Sequence, residues 1–461
     1  MPKKKTALTI EERLQQALVP AEEQPYEVPE NWVWVRLGEV VDVLNGDRGK
    51  NYPAKSTLSK EGIPFISAAN LCDNIVVEDD LLCMSEEQYS KLSAGKLMLN
   101  DIVLCIRGSL GKHGKFPFKK GAIASSLVIL RSKDRGRLTD GYVMQYLDVP
   151  LFYDEIKKYD NGTAQPNLAA KNLELFSFPL PPLSEQQRIV ERIEELFAKL
   201  DEAKERLQEA ADSFAVRKAA ILHKAFTGEL TKQWRLENGV SDESWEEKTI
   251  GEICSSLKYG TSKKSSDDGE VVVLRMGNLQ NGEIDWSNLA YTSDEEDIKK
   301  YLLKSGDVLF NRTNSPELVG KTSIYRGEMP AIYAGYLIKL DYEKNIVVGD
   351  YLNYYLNSSK AKEYYMQVKT DGVSQSNINA KKIGEFEIPL PTITEQHEIV
   401  RLIDDLLARE RAAQQATEQA LASIDLMKKS ILARAFRGEL GTNKASEASA
   451  LELLKQVLAE N

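Results

Sequence analysis

The sequence contains a long internal repeat with a fixed offset of 210 residues. Gly162–Leu230 aligns with Gly372–Leu440 over 69 positions without an insertion or a deletion. Both copies contain Pro-Leu-Pro followed by Glu-Gln, and both end in Ala-Phe-x-Gly-Glu-Leu. A gapless match of this length indicates duplication, so the chain is expected to fold as two equivalent halves.

The segments in front of the two copies match only at anchor points. Trp32–Val40 resembles Trp245–Ile253, and Asp101–Arg107 resembles Asp307–Arg312. Between these anchors the loops differ in length and content. A shared scaffold with divergent loops is typical of two domains that have one architecture and bind different targets.

Short β-branched or aromatic runs bounded by Gly, Asn and Asp predict strands in both variable segments. These runs are Ile102–Ile106, Ala124–Leu130, Val271–Leu274, Asp307–Phe310 and Tyr333–Leu340. Helical stretches are predicted at Gly141–Tyr159 and Gly349–Val368. Each variable domain is therefore expected to be mixed α and β.

A long helix is predicted after each proline-containing strand. Ser184 and Thr394 are the predicted N-caps, and Gly228 and Gly438 are the predicted stops. Such a helix extends roughly 65 Å, so two of them most simply pack on each other. Apolar residues follow the alternating spacing of a coiled coil. The predicted seam is Ile189, Ile193, Leu196, Leu200, Ala203, Leu207, Ala210, Phe214 and Ile221, with Ile399, Ile403, Leu406, Ala413, Ala420, Ile424, Met427 and Ile431 in the second helix.

Composition and charge limit the possible functions. The net charge is −10, whereas a chain that binds nucleic acid normally carries a basic face. No run approaches eighteen apolar residues, so no membrane span is expected. The four cysteines lack CxxC spacing and only three histidines occur, so neither a metal site nor histidine-based catalysis is expected. Free thiols predict a cytoplasmic location.

This order of variable domain, helix, variable domain and helix resembles the specificity subunits of type I restriction–modification systems. The resemblance is carried by the signatures at Pro179–Gln186 and Pro389–Gln396. It is also carried by the helix ends at Ile221–Thr231 and Ile431–Leu440, together with Lys232–Arg235. It covers nearly the whole chain.

The resemblance implies an α+β fold. Two globular, mixed α/β target-recognition domains would be joined by two long helices that form an antiparallel coiled coil, with an internal pseudo-two-fold repeat. The implied boundaries are an N-terminal segment at 1–27, a recognition domain at 28–182, a helical spacer at 183–243, a second domain at 244–392, a second spacer at 393–443 and a C-terminal helical tail at 444–461.

The resemblance also implies a function. Each domain would read one half of a split double-stranded DNA target, and the coiled coil would set the spacing of the halves. The chain itself would be non-catalytic and would hold no cofactor or metal. Two methyltransferase subunits would bring S-adenosylmethionine, and two restriction subunits would bring ATP, Mg²⁺ and cleavage. The complex would be an adenine-type DNA methyltransferase and an ATP-dependent endonuclease, without membrane association.

The best DNA-binding candidates in the first domain lie between Cys105 and Gly121, where five basic residues occur without an acid. Glycines let the backbone approach a phosphate, and Arg or Lys can reach phosphates or guanine edges. A solvated basic hairpin is the alternative. The candidates in this domain are Arg107, Ser109, Lys112 and Lys115, together with Asn70, which follows an apolar run.

In the second domain, an Asn beside an Arg after a strand suits readout of adenine and guanine. An internally satisfied turn is the alternative. The candidates are Arg275, Asn278, Asn311, Arg312, Asn314 and Lys321.

The repeated Gly-x-x-Gln-x-Asn loops supply the last DNA-binding candidates, Gln165 and Asn167 in one copy and Gln375 and Asn377 in the other. Their amides could read bases or phosphates. They could equally cap the junction between domain and helix. Near-identity in two domains with different targets favours this shared positional role.

Paired carboxylates lie on the outer faces of the two predicted helices: Glu194, Glu195, Asp404 and Asp405. A solvated face or contacts with partner subunits explain them. The tail at Leu451–Leu458 reads as an amphipathic helix, either in contact with a partner or solvated. Thr9–Pro29 is an extra front segment.

Catalytic motifs are missing. Pro316–Thr322 is nearly a phosphate-binding loop, but Ser315 stands in place of the first glycine and a strand-like run follows. The Pro-Leu-Pro runs lack the Asn or Asp of a methyltransferase motif. A structural coiled-coil adaptor that binds proteins or small ligands is the alternative function. Net acidity favours the adaptor, whereas divergent loops and the basic stretch favour DNA recognition.

Overall fold

The computed structural model describes residues 9–160, 166–373 and 375–460. The chain forms two compact units. Unit 1 contains Met1–Arg206 and Ala420–Asn461, and unit 2 contains Leu207–Gln419. The boundary falls within each of the two long helices, so each unit contains the start of one helix and the end of the other. Among the described residues, no helix is both long and apolar enough to cross a membrane.

Unit 1 begins with six short helices and twelve strands among its described residues. The helices are α1 (Ile10–Ala17), α2 (Leu37–Val40), α3 (Glu86–Lys91), α4 (Asp140–Tyr146), α5 (Pro150–Tyr159) and α6 (Ala170–Leu173). The strands are β1 (Val33–Arg36), β2 (Val41–Asn45), β3 (Ile63–Ile66), β4 (Leu71–Cys72), β5 (Asn74–Val76), β6 (Leu82–Met84), β7 (Lys96–Met98), β8 (Ile102–Cys105), β9 (His113–Lys115), β10 (Lys120–Ile123), β11 (Leu127–Ser132) and β12 (Ser177–Leu180). They form a six-stranded sheet in the order β2-β11-β8-β9-β5-β4, a four-stranded sheet in the order β6-β3-β10-β7 and the pair β1-β12.

Unit 2 runs from the second part of the first long helix to the first part of the second one. The helices from here to the end of the chain are α7 (Leu183–Phe226), α8 (Lys232–Asn238), α9 (Ile250–Ile253), α10 (Glu295–Tyr301), α11 (Gly349–Leu356), α12 (Ser359–Val368), α13 (Ala380–Gly384), α14 (Ile393–Ala435) and α15 (Ala450–Glu460). The strands are β13 (Glu246–Thr249), β14 (Cys254–Tyr259), β15 (Val271–Leu274), β16 (Leu279–Gln280), β17 (Glu283–Ile284), β18 (Tyr291–Thr292), β19 (Val308–Asn311), β20 (Thr313–Asn314), β21 (Thr322–Ile324), β22 (Ala331–Tyr333), β23 (Leu337–Tyr342), β24 (Thr370–Asp371), β25 (Ser376–Asn377) and β26 (Glu387–Leu390). The main sheet has the order β14-β23-β19-β21.

The two units repeat the same central feature. In unit 1 the fully buried strand β8 pairs antiparallel with β11 and β9, and Cys105 lies opposite Leu127. In unit 2 the fully buried strand β19 pairs antiparallel with β23 and β21, and Asn311 lies opposite Leu337. A strand buried on both faces is expected to be continuously apolar, as these runs nearly are.

The mixed α and β prediction is confirmed, but both predicted helical stretches are broken. Pro150 starts α5, because proline fits the first turn of a helix and cannot continue the preceding one. Ser358 caps α12 by accepting a hydrogen bond from the amide of Ala361. Each predicted long stretch is therefore two short helices that meet at a sequence break.

The glutamate of each Ser/Thr-Glu-Gln signature joins a domain to its long helix. Glu185 is fully buried, and its carboxylate accepts hydrogen bonds from the Trp32 indole (2.8 Å), the Thr442 hydroxyl (3.3 Å) and the Asn443 amide (2.8 Å). A buried carboxylate needs such donors to offset its lost hydration. Unit 1 therefore holds its first strand, its helix start and the C-terminal region together at one carboxylate.

Unit 2 repeats the arrangement with one change. The buried Glu395 accepts hydrogen bonds from the Trp245 indole (3.2 Å), the Thr231 hydroxyl (2.7 Å) and the Arg235 guanidinium (2.7 Å). Arginine replaces the asparagine of unit 1, so this junction is a buried ion pair.

The glutamine that follows has the same bonds in both copies. Gln186 donates to the carbonyl of Pro181 and accepts from the amide of Thr139. Gln396 donates to the carbonyl of Pro391 and accepts from the amide of Val348. The signature used to identify the repeat is therefore a structural joint.

Each long helix ends in the core of the other repeat's domain. The end of α14 lies in unit 1, and the end of α7 lies in unit 2. In unit 1, Phe436 of α14 stacks on Tyr142, with ring centroids 4.7 Å apart. In unit 2, Phe226 of α7 meets the rings of Tyr351 and Tyr355 edge-on. Within each unit, the start of one long helix packs beside the end of the other, which is the antiparallel orientation.

The predicted caps and seam need correction. Thr392, not Thr394, supplies the second cap, since its hydroxyl accepts from the amide of Glu395 (3.4 Å). Ala203, Ala413 and Met427 are exposed although they were predicted in the seam. A helix with one neighbour buries only a narrow stripe, and most of the fully buried positions lie near the helix ends, where a domain also packs on them. The stops are confirmed: Gly228 and Gly438 follow the helix ends with φ of 75° and 74°.

Both terminal segments pack into unit 1. α1 packs against α15, and the apolar face of α15 is buried at Ala450, Leu454, Val457 and Leu458. Arg137 binds Glu460 with two hydrogen bonds of 2.7 and 3.0 Å. The predicted helix of the tail is confirmed, but it is part of the unit 1 core and not a solvated extension.

Candidate nucleic-acid interface

A glycine-containing loop follows the central buried strand of unit 1. Gly108 and Gly111 have φ of 81° and 83°, in the region that favours glycine, and they allow the chain to turn back from β8 into β9. The amide of Cys105 donates to the carbonyl of Lys112, which closes the turn. Arg107 and Ser109, on either side of Gly108, are exposed. The sheet thus presents a short basic loop on a rigid strand end.

Arg107 is bonded to the repeated Gln-x-Asn loop. Its Nε donates to Oδ1 of Asn167 at 3.1 Å, and the two residues form a β-bridge. The amide of Leu168 donates to the carbonyl of Ile106 (2.9 Å), and that of Gly108 donates to Pro166 (3.0 Å). Two loops that were predicted separately therefore form one surface in unit 1.

Unit 2 contains the same bond between counterpart loops. Nη2 of Arg312 donates to Oδ1 of Asn377 at 3.2 Å, and the amide of Ile378 donates to the carbonyl of Arg312. The guanidinium lies 4.8 Å from the ring centroid of Tyr259. The amide of Asn377 donates in turn to the Thr313 hydroxyl (2.8 Å). An Arg–Asn pair at the end of the central strand is thus common to both units.

The two arginines do not occupy the same backbone position, but differ by one residue. The amide of Ile106 donates to Ser126, whereas the amide of Arg312 donates to Tyr336 at the same place beside the next strand. Arg312 therefore occupies the backbone position of Ile106, and Arg107 lies one residue further on. The Arg–Asn bond persists despite this shift. It is a contact between side chains and does not follow from the alignment.

Two lysines occupy equivalent positions in the two units, close after the arginines in sequence. Lys112 is exposed and donates to the carbonyl of Ala68 (3.0 Å). Lys321 is half-buried and donates to the side chain of Gln280 (2.8 Å). Lys112 thus reaches the turn that contains Asn70, and Lys321 reaches β16, which directly follows the turn that contains Asn278.

Several predicted contacts turn inward. Asn70 and Asn278 are buried, and each caps its own turn by accepting from the amide three residues earlier. Asn311 is buried and accepts from the amide of Thr313. Because their side chains are buried within their own turns, these three residues stabilise the fold and are not positioned to contact DNA.

The remaining candidates differ in exposure. Lys115 and Gln375 are exposed, whereas Arg275 and Asn314 are half-buried. Arg275 donates to the carbonyl of Asn288 (2.7 Å), and Asn314 accepts from the amide of Ser315 (2.9 Å). Gln165 lies outside the described residues.

A buried histidine supports the basic loop of unit 1 from behind. Nδ1 of His113 lies 2.8 Å from the carbonyl of Gly111, and its Nε2 lies 3.8 Å from a carboxylate oxygen of Asp148. Burial raises the pKa of Asp148, and the charge of His113 opposes this rise. Asn74 donates to the same carboxylate. The histidine is thus part of the support of the loop.

Sequence reasoning missed a further arginine and two tyrosines. Arg48 is exposed, and its guanidinium is 3.4 Å from the carbonyl of Ser125, beside the turn that precedes β11. Tyr259 and Tyr336 are 40% and 49% exposed around Arg312. Arg48 lies between two glycines after a strand, a signal like that of Arg107. The tyrosines gave no such signal, because ring exposure depends on the fold.

The arrangement can recognise an anion or a base edge. Asn167 uses only Nε of Arg107, and within the described part of the chain the two terminal nitrogens have no other protein acceptor. A fork of two donors fits a phosphate or the edge of guanine. The bond to Asn167 fixes the guanidinium plane, so less side-chain freedom is lost on binding.

The helix carboxylates lie at exposed, equivalent positions. Glu195 accepts from Arg192 and Lys199, and Asp405 accepts from Arg409. Asp404 accepts the hydroxyl of Tyr354. Glu194 is exposed on α7. Contact of these four carboxylates with a partner subunit therefore stays a prediction.

No cluster of metal-ligating side chains occurs within residues 9–160, 166–373 and 375–460.

Comparison with known proteins shows relatives along nearly the whole chain. The type I restriction enzyme EcoKI specificity subunit of Escherichia coli (strain K12) is 26% identical over 453 residues, which cover 94% of this chain and 96% of that protein. The EcoBI specificity subunit of Escherichia coli is 29% identical over 461 residues, covering 94% and 93%.

A solved structure has the same fold. The crystal structure of the HsdS subunit from Thermoanaerobacter tengcongensis matches with a TM-score of 0.66 at 20% identity, covering 91% of this chain and all of that one. Residues 29–211 and 242–421 each match the family model described as the type I restriction modification DNA specificity domain. Two matches, one per repeat and together more than half of the sequence, show that the chain belongs to the type I restriction–modification DNA specificity family.

Proposed function

We propose that the chain is the non-catalytic subunit that reads DNA sequence for a type I restriction–modification complex, with one half of a bipartite target read by each unit. The observation that carries this proposal is the Arg–Asn pair at the end of the central strand in both units. The pair is retained while the loops around it differ. A shared anchor within divergent loops suits two readers that approach DNA alike and select different bases.

The charge distribution is compatible with this proposal. The chain is acidic overall, yet the loop after β8 carries Arg107, Lys112 and Lys115 at exposed positions. Phosphate contacts supply most of the affinity of nucleic-acid binding, whereas contacts with base edges supply specificity. We therefore propose that partner subunits contribute much of the phosphate contact.

The long helices are proposed to set the spacing of the half-sites and to bind the methyltransferase subunits. Half-sites on one face of a duplex are about 34 Å apart, or a multiple of this distance. The 44 and 43 residues of α7 and α14 are long enough to serve such a function. Glu194, Glu195, Asp404 and Asp405 are the proposed contacts with partner subunits.

The chemistry of the complex is assigned to other chains. We propose that two methyltransferase subunits bring S-adenosylmethionine for adenine methylation. Two restriction subunits would bring ATP and Mg²⁺ for translocation and cleavage. This chain would then contribute recognition and assembly alone.

Selection from random DNA duplexes tests the proposal directly. The full chain, purified with its methyltransferase partner, is expected to enrich a split target. Arg107→Ala should weaken the readout of one half, and Arg312→Ala that of the other, each by about tenfold to a hundredfold, because one base-reading arginine contributes about 1–3 kcal/mol.

Two controls sharpen this experiment. Arg206→Ala removes an exposed arginine that pairs within its own helix, and it should not change the selected sequence. Arg107→Lys and Arg312→Lys keep the charge but lose the fork, so affinity for random DNA should persist while one half-site is relaxed. Failure to enrich any split site, or equal loss at both halves from one substitution, would contradict the proposal.

A further inference from the structure

In unit 1 the outer edge of β1 is covered by the chain's own N-terminal segment. β1 pairs with β12 on one side. On its other side, Leu18 bridges Val35, and the amide of Val19 donates to the carbonyl of Trp34 at 3.0 Å. The segment thus adds a short extra strand to the edge of this pair.

The same segment fills a pocket beside that edge. The hydroxyl of Tyr26 donates to the carbonyl of Phe436 (3.1 Å), and its ring meets Trp34 edge-on at 5.0 Å. The guanidinium of Arg437 lies 5.1 Å from the ring centroid of Tyr26. Pro29 packs so closely on Gly438 that a Cβ atom added to Gly438 would lie 2.4 Å from Cγ of Pro29.

In unit 2 the equivalent edge and pocket have no such cover. β13 pairs with β26 in the register of β1 and β12, so Glu247 lies opposite Pro389 as Trp34 lies opposite Pro179. Within the described part of unit 2, no strand pairs with the outer edge of β13. Beside this edge lies a cavity of about 510 Å³.

The cavity corresponds to the place of Tyr26. Phe226, Thr227 and Glu247 line it, and they are the counterparts of the three residues that Tyr26 touches in unit 1. Arg235 lies 3.2 Å from where a Cβ of Gly228 would be, so it already occupies the place of Pro29. The vacant part is therefore the place that residues 18–26 occupy in unit 1.

The charge of the cavity selects its occupant. Three glutamates and two cations line it, and most of these charges have an oppositely charged neighbour. Glu229 pairs with Lys224 (2.8 Å) and also lies near Lys232, Glu246 pairs with Lys248 (3.1 Å), and Arg235 pairs with Glu395. Glu247 is exposed and has no cationic partner among the described residues. It replaces the apolar Trp34 of unit 1. A cationic side chain is therefore favoured where Tyr26 lies in the other copy.

We propose that unit 2 binds an extended, basic segment of a partner protein at this groove. The segment adds a strand to the outer edge of β13 and places a Lys or Arg between Glu247 and the carbonyl of Phe226. Main-chain bonds to the edge supply affinity, and the charge at Glu247 supplies selectivity. This site is separate from the loops proposed to read DNA, and the inference does not depend on them.

A designed peptide tests the proposal on the full chain. The probe is a fluorescent peptide of residues 17–28 in which E22K, E23K, Y26R and E27K make it basic. The comparison peptide is the same segment without substitutions. By fluorescence anisotropy, the basic peptide is expected to bind at least about tenfold more tightly than the acidic one. Equal affinity, or no binding of either, would overturn the proposal.

Matched variants of the chain locate the site. Glu247→Lys is expected to weaken binding of the basic peptide by about tenfold and to strengthen binding of the unsubstituted one. Glu243→Lys changes an exposed acid outside the groove and should leave both affinities unchanged. Equal effects of the two substitutions would indicate non-specific attraction and would refute the site.

Hydrogen exchange tests the binding mode. Bound peptide should slow exchange of the backbone amide of Glu247, because this residue faces the outer edge of β13 as Trp34 faces the outer edge of β1 in unit 1. Unchanged exchange there would overturn strand addition. If removal of residues 1–8 raised the affinity of the probe, the occupant would be this chain's own basic N-terminus, and the assignment to a partner protein would be wrong.

Discussion

The two buried glutamates, Glu185 and Glu395, show how one sequence signature can have different energetics in two copies. Both carboxylates accept hydrogen bonds from a tryptophan indole and a threonine hydroxyl. The third donor is the neutral Asn443 in unit 1 and the charged Arg235 in unit 2. Removing the carboxylate charge therefore breaks a buried ion pair only in unit 2.

Glu395→Gln is expected to destabilise the chain more than Glu185→Gln. Loss of one partner from a buried ion pair costs about 3–5 kcal/mol, because the remaining charge loses an attraction that offset its burial. Loss of charge-assisted bonds to neutral donors costs about 1–3 kcal/mol. Urea unfolding at neutral pH, followed by tryptophan fluorescence, measures both.

A second substitution tests the cause of the difference. Arg235→Leu combined with Glu395→Gln removes both charges of the buried pair and should recover part of the stability lost by Glu395→Gln alone. If the double variant were as unstable as the sum of the single variants, the ion pair would not be the source of the asymmetry.

At this scale the sequence supplied the residues but not their bonds. Arg107, Arg312, Asn167 and Asn377 were all predicted as candidates. Their pairing joins positions 60 and 65 residues apart in sequence, through loops whose paths depend on the fold. Asn70 and similar residues point inward for the same reason, since a motif does not tell which face of a turn is buried.

Among the elements, the main sheet of unit 2 is held by a carboxylate between strands. Asp341 of β23 accepts from Lys258 of β14 (2.7 Å), from Lys339 (2.6 Å) and from the hydroxyl of Ser256 (2.6 Å). Burial raises the pKa of Asp341, but these donors together outweigh burial and lower it to about 2.

The lowered pKa of Asp341 predicts a pH-dependent contribution to stability. An acid whose pKa is lower in the folded state stabilises the fold above its unfolded value of 3.8, and this contribution is lost as pH falls towards about 2. Asp341→Asn should cost roughly 1–3 kcal/mol at pH 7. The difference between variant and parent should shrink between about pH 4 and pH 2 in urea unfolding. A difference that stays constant over this range would contradict the assignment.

Element type was predictable where the pattern was long and regular. The two long helices and the strands at β8, β15 and β19 follow directly from periodicity. The breaks between α4 and α5 and between α11 and α12 were missed. Both short helices of each pair are rich in apolar residues, and tertiary packing decides where such a run bends. The seam was overestimated at Ala203, Ala413 and Met427, because a helix with one neighbour buries only a narrow stripe.

In the molecule as a whole, both ends of the chain contribute to one unit. Unit 1 takes its N-terminal residues through Arg206 and its C-terminal residues from Ala420 onward, whereas unit 2 is one continuous stretch. α1 and α15 pack together, so the two ends lie on the same unit. The duplication in sequence was predictable, but this closure of the second repeat onto the first domain was not, because the tail has no counterpart in the first repeat.

A circularly permuted chain should therefore fold. Joining the present ends by a Gly/Ser linker of about ten residues and opening the chain at the exposed turn after α8, near Gly239, cuts no element and exchanges the order of the two repeats. The expected thermal unfolding midpoint is within a few degrees of the parent's. Opening at Leu309 in the buried strand β19 is the matched control and should prevent folding of unit 2. Loss of structure in the first permutant would refute the closure.

The closure of unit 1 also fixes the order in which the chain can be completed on the ribosome. Unit 2 has all its residues once Gln419 emerges, whereas unit 1 at that point has only Met1–Arg206 and still lacks the segment from Ala420 onward. The part of unit 1 made first exposes the apolar surface that Phe436 and α15 later cover. A prematurely terminated product would hold one finished reader and one open core, which marks it for degradation. Only chains translated to the end can present two readers.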